Sequence, residues 1–209
     1  MNDGLTIHHE MDPEATTEWP DPHQSRFAKT SLGFWIYLMT DCILFSCFFI
    51  AHAVLQNQTY GGATSQELFD LGTAFTETML LLASSFTCGL ALLAATRRNR
   101  KATVNWLIVT ILFGASFLAF ELNEFRHLID SGNSWRESAF LSSFFGLVGL
   151  HGCHITVGIA WMSVMIGQLL YYGIVPDTFR RLVMLNMFWH FLDLIWIFIF
   201  TFVYLRGVL

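Results

Sequence analysis

Apolar and polar positions divide this chain into five long apolar runs joined by polar segments. The runs cover about residues 31–55, 73–95, 103–123, 139–170 and 183–206. None alternates with the period of two that marks a half-buried strand, so each predicts a helix. About 20 apolar residues carry a helix across the hydrocarbon core of a bilayer, and each run supplies that length. The pattern predicts an all-α polytopic membrane protein, with a bundle of five transmembrane helices over residues 31–209. Residues 1–30 differ: they hold Glu10, Asp12, Glu14, Glu18, Asp21 and three of the four prolines. They predict a disordered tail, with no apolar core of the length a secretion signal needs.

Basic residues give the bundle a direction. Arg26 and Lys29 precede the first run, Arg97, Arg98, Arg100 and Lys101 separate the second from the third, and Arg180 and Arg181 precede the fifth. Eight of the eleven basic residues thus fall on one side, against Arg126, Arg136 and Arg206 on the other. The excess of Lys and Arg on cytoplasmic loops places the N-terminal tail in the cytoplasm and the C-terminus outside. Arg97, Arg98, Arg100, Arg180 and Arg181 are candidates to hold lipid headgroups, since anionic lipids attract such clusters.

Composition agrees with this reading. The chain has 54% hydrophobic and only 13% charged residues, with mean hydropathy +0.51, whereas soluble domains carry about 25% charged residues. The net charge of −5 collects in the tail and loops and does not suggest a nucleic-acid partner. Cys42, Cys47, Cys88 and Cys153 lie within apolar runs, where cysteine serves as a small packing residue. No nucleotide-binding glycine loop, nucleophile elbow or zinc-ligand spacing is present, and no metal site is expected.

The informative residues are the polar ones inside the runs. Phe144 to Gly158 holds His151 and His154 one helical turn apart, beside Gly146, Gly149 and Gly152. The last run holds His190 and Asp193 at the same separation, and the first holds Asp41. Counted from the run ends, these five fall in one middle layer. An ionisable group there costs about 2.5–3.5 kcal/mol on insertion scales, so each should face protein and find a partner. One reading is a set of hydrogen-bonded groups that hold helices together. Sharper readings are a proton relay, or a haem held by His151 and His190, against which His154 and Asp193 crowd the same faces. For Asp41 the expected partner is His151 or His154, then His190, in a packing and hydrogen-bonding role. Glu77, Glu121, Glu124 and Arg126 lie towards the outer ends of the second and third runs and predict an interfacial charge network. The spacings Ser84–Cys88 and Ser85–Gly89 mark close helix packing.

These stretches carry a family resemblance. The pattern Phe144-Phe145, Gly149-Leu150-His151-Gly152-Cys153-His154, Gly158 resembles the His-Gly-Leu-His helix of subunit III of haem-copper oxidases. Trp189-His190-Phe191, Asp193 and Trp196, followed by Tyr204 and Gly207, resemble that family's last helix. Gly33-Phe34-Trp35, Asp41, Leu44-Phe45 and Phe48-Phe49 resemble its helix with an intramembrane carboxylate, with Asp41 where many members have Glu. Glu77 to Ser85 and Glu124-Phe125 extend the likeness, which runs from about residue 31 to 209. Within the family the likeness is greatest to the bo-type ubiquinol oxidase branch, on the phrase GFWIYLMTDCILF. The seven-helix members have two further helices at the start, and the five runs here match the remaining five.

The resemblance implies a non-catalytic subunit of a proton-pumping terminal oxidase in the bacterial inner membrane. That complex oxidises ubiquinol and reduces oxygen to water in aerobic respiration. It implies no cofactor in this chain, haems and copper in subunit I, bound phospholipid, and contacts to subunit I with subunits II and IV in the same complex. Subunit III then stabilises subunit I, holds lipid and supports proton uptake. The competing readings are subunit III of a cytochrome c oxidase, a five-span cytochrome with its own haem, and a proton-coupled transporter using Asp41 and Asp193.

Overall fold

The computed structural model describes residues 25–56, 71–132 and 138–205. The stretch 1–24, Arg136 and Arg206 lie outside these residues. Five helices follow one another: α1 (Ser25–Leu55), α2 (Leu71–Thr96), α3 (Arg100–Asp130), α4 (Ala139–Tyr172) and α5 (Pro176–Ile199), which runs on into a π-helical turn over Phe200–Leu205. All five are long and apolar enough to cross a membrane. No strand occurs among the described residues.

The helices overrun the apolar runs that predict them. α3 continues through Glu124 to Asp130, and α5 starts at Pro176 rather than near residue 183. α1 starts at Ser25, inside the stretch expected as tail. A helix satisfies its own backbone, so it need not stop where its side chains turn polar. Local chemistry sets the ends instead. The Asn99 side chain accepts from the Ala102 N–H and the Ser138 side chain from the Leu141 N–H, capping α3 and α4. Gly173, at φ +74°, ends α4, and Pro176 occupies the first turn of α5, where its missing N–H costs nothing. Between α2 and α3 the chain reverses in a tight turn that holds Arg98 at φ +53°.

In the bundle α5 is central, touching α1, α2 and α4, while α3 lies against α2 and α4 and α1 rests on α4 and α5. Lipid tails are as apolar as leucine, so packing and interhelical hydrogen bonds, rather than escape from water, hold such a bundle together. Trp189 shows both. Its indole lies so close to Gly114 of α3 and Gly158 of α4 that an added Cβ at either would come within 2.8 Å of the ring. Its Nε1–H donates to Ser84 of α2 at 3.0 Å. One side chain of α5 thereby meets three other helices. One turn or two further on, the Trp196 Nε1–H donates to Thr78 of α2 at 3.1 Å. A hydroxyl pair, Thr87 and Thr110 at 2.9 Å, joins α2 to α3.

Candidate functional site

α1 is tied to α4 by two polar contacts. The His52 Nδ1 lies 3.0 Å from the Ser143 hydroxyl. Deeper in the bundle, Asp41 Oδ1 lies 3.3 Å from His154 Nε2. The other ring nitrogen of His154 is 2.8 Å from the Leu150 carbonyl. A carbonyl only accepts, so Nδ1 carries a proton and donates to it. Nε2 is therefore the ring nitrogen that faces Asp41 Oδ1. Asp41 is buried, and the His154 side chain keeps 17% of its surface accessible. Asp41 Oδ2 has no partner among the described residues.

His151, one turn from His154, has quite different surroundings. It is fully buried, and neither ring nitrogen has a hydrogen-bond partner among the described residues. Its neighbours are the rings of Phe45, Phe117 and Trp196, with centroids at 6.4, 5.9 and 5.3 Å. A spacing of three turns side chains about 60° apart on a helix of 3.6 residues per turn. That difference sends His154 to α1 and His151 to the middle of the bundle. His190 is exposed on α5, its Nδ1 bonded to the Asn186 carbonyl of its own helix at 2.8 Å. Asp193 is buried beside Ser85 of α2, with no bond of normal geometry between them. The five polar groups of the middle layer thus divide into one pair, Asp41 with His154, and three groups in separate settings.

The carboxyl groups of α2 and α3 expected in a charge network are turned towards neighbouring helices. Glu77 and Glu121 are 0% and 2% exposed, enclosed between helices. Glu124 is half-buried and accepts a hydrogen bond at 3.2 Å from the hydroxyl of Tyr204, itself fully buried. Arg126 points away, exposed, with no ion pair among the described residues.

At the other end, Arg97, Arg98, Asn99, Arg100, Lys101, Val104, Asn105 and Leu170 line an open cavity of about 840 Å³. The Arg100 guanidinium donates to the Leu170 carbonyl, so the α2–α3 and α4–α5 turns share this end. Arg180 pairs with Asp177, and Arg181 Nη1 donates to Gln168 Oε1 at 3.1 Å. Among the described residues no three His, Cys, Asp or Glu side chains are grouped as metal ligands.

Sequence reasoning missed Tyr204 as the partner of Glu124, Ser84 and Thr78 as acceptors for two indoles, and the His52–Ser143 contact. A signal for the indoles was present. Thr78, Ser84 and Ser85 fall within one side of α2, and two tryptophans on the last helix need acceptors when buried.

The family described as cytochrome c oxidase subunit III matches residues 12–208. The chain is 49% identical over 180 residues to the cytochrome bo(3) ubiquinol oxidase subunit 3 of Pseudomonas putida, covering 86% of this chain and 87% of that protein. To the protein of the same description from Pseudomonas aeruginosa it is 48% identical over 181 residues, covering 87% of each. To the quinol oxidase subunit 3 of Bacillus spizizenii it is 45% identical over 190 residues, covering 90% of this chain and 93% of the relative.

Proposed function

Because the chain belongs to the cytochrome c oxidase subunit III family, we propose that it serves as the non-catalytic subunit III of a quinol-oxidising, proton-pumping terminal oxidase. It is a multi-pass protein of the bacterial inner membrane and a subunit of a terminal oxidase complex. The observation that carries the quinol reading is the similarity, over 86–90% of the chain, to relatives described as subunit 3 of ubiquinol or quinol oxidases.

In this reading the haems and copper sit in subunit I, where ubiquinol supplies electrons and oxygen is reduced to water. Subunits II and IV complete the complex. The present chain contributes a stiff helical body, with the N-terminus in the cytoplasm, that stabilises subunit I. The geometry supports such a role. Asp41, Trp189, Trp196 and Tyr204 spend their polar groups on neighbouring helices, and His151 is enclosed by three aromatic rings in a packing role. The cavity lined by Arg97, Arg98, Arg100 and Lys101 suits the phosphate of an anionic lipid, with Arg180 and Arg181 at the same end. Asp41 and His154, in contact and with part of the imidazole accessible, are the groups of the middle layer best placed to support proton uptake by the neighbouring subunit.

Affinity purification of the tagged chain from its native membrane tests this reading. The chain should bring down a larger subunit and, with it, haem absorption. After dissociation the haem bands should stay with the larger subunit. A Soret band that follows the isolated chain would instead make it a cytochrome in its own right.

A further inference from the structure

Glu77 and Glu121 are the most completely enclosed carboxyl groups among the described residues, at 0% and 2% exposure. They come from different helices, α2 and α3, and lie within electrostatic reach of one another and of Glu124. Neither forms an ion pair among the described residues. Both oxygens of Glu77, and Oε2 of Glu121, lack a hydrogen-bond partner among the described residues. Gly152 of α4 is what admits Glu121 here, since a Cβ at that position would lie 2.8 Å from Oε1. Among the described residues Tyr204 also faces all three carboxyls, and its hydroxyl donates to Glu124.

Among the described residues no cation pairs with Glu77 or Glu121 to offset two carboxylate ions there. A buried charge without a partner takes up a proton rather than stay ionised, and two carboxyls that share a site do not both ionise. The hydrogen-bond inventory points the same way. Carboxylates only accept, and no described residue donates to these oxygens of Glu77 and Glu121. A carboxylic acid brings an O–H donor of its own.

We propose that Glu77 and Glu121 form a proton-binding site, in which at least one of the two is a carboxylic acid and the proton is held between α2 and α3. The site lies towards the end of the bundle opposite the basic turns. Glu124 and the Tyr204 hydroxyl stand between it and that end, in position to pass a proton inwards or outwards. The assignment is independent of which donor feeds the oxidase. The rival ligand for two facing carboxylates is a metal cation, and the test separates the two.

The test is infrared spectroscopy of the assembled complex at neutral pH, comparing wild type with Glu77→Gln and Glu121→Gln, together with metal analysis of each. Glutamine keeps the side-chain shape and removes one carboxyl. The wild-type spectrum should contain a carboxylic-acid carbonyl band, sensitive to heavy water, that is lost in at least one variant, with metal content unchanged. Loss of carboxylate bands alone in both variants would overturn the proposal. Loss of carboxylate bands together with a bound cation would overturn it in favour of a cation site. If Glu77→Gln does not assemble, Glu77→Met, of similar length and uncharged, is read for the same band.

Discussion

Asp41 and His154 illustrate how far single residues explain this protein. The carboxyl of α1 meets an imidazole of α4 whose other nitrogen is held by the Leu150 carbonyl. Asparagine at position 41 can still offer an N–H or an oxygen to Nε2. Leucine leaves that nitrogen unpaired, at a cost of about 1–3 kcal/mol. Asp41→Asn should therefore retain this chain in the complex nearly as wild type, and Asp41→Leu should lose it in large part, read by native gel of solubilised membranes. Equal retention in both would mean that the pair does not hold α1 to α4. The sequence made these residues visible, because a polar group in an apolar run stands out. It narrowed the partner of Asp41 to His151 or His154 ahead of His190, and the structure gives His154. His151 and His154 share a side of one helix, yet a 60° difference decides which meets Asp41. The enclosure of Glu77 and Glu121 between helices was not legible, because an apolar run does not say which of its faces meets a neighbouring helix.

At the scale of elements, close packing rests on small residues opposite large ones. Trp189 fills the space over Gly114 and Gly158. Gly158→Ala forces the indole or the helices apart, and overpacking of this kind costs about 1–3 kcal/mol. Gly167 on the same helix has open space where its Cβ would be, and alanine there gains about 1 kcal/mol of helix propensity. Thermal denaturation in detergent should show Gly158→Ala melting below wild type and Gly167→Ala melting at or above it. Matching melting temperatures for the two would remove Trp189 from its organising role. The five helices were legible because hydrophobic length alone marks a span. Their ends were less so, since caps at Asn99 and Ser138 and the stop at Gly173 lie outside the apolar pattern. Which helices touch was not legible at all. The small-residue spacings Ser84–Cys88 and Ser85–Gly89 pointed to a contact without saying that the indole of Trp189 would fill it.

The whole molecule joins these features into a subunit with two distinct ends. One end gathers Arg97, Arg98, Arg100 and Lys101 around an open cavity, with Arg180 and Arg181 in the first turns of α5; towards the other, three carboxyls and Tyr204 close the bundle from within. Between them α1 rests on α4 and α5, and outward faces of α1 such as Leu32, Ile36 and Ile43 remain exposed for lipid or a neighbouring subunit. The electron donor leaves no mark on such a body, because the family takes its description from cytochrome c oxidases while the relatives at 45–49% identity are described as quinol oxidases. The measurement that bears most directly on the account is the oxygen consumption of the complex captured through this chain, supplied in turn with ubiquinol and with reduced cytochrome c. The account predicts rapid oxygen uptake with ubiquinol and little with cytochrome c. Uptake with cytochrome c alone, or none with either donor, would contradict it.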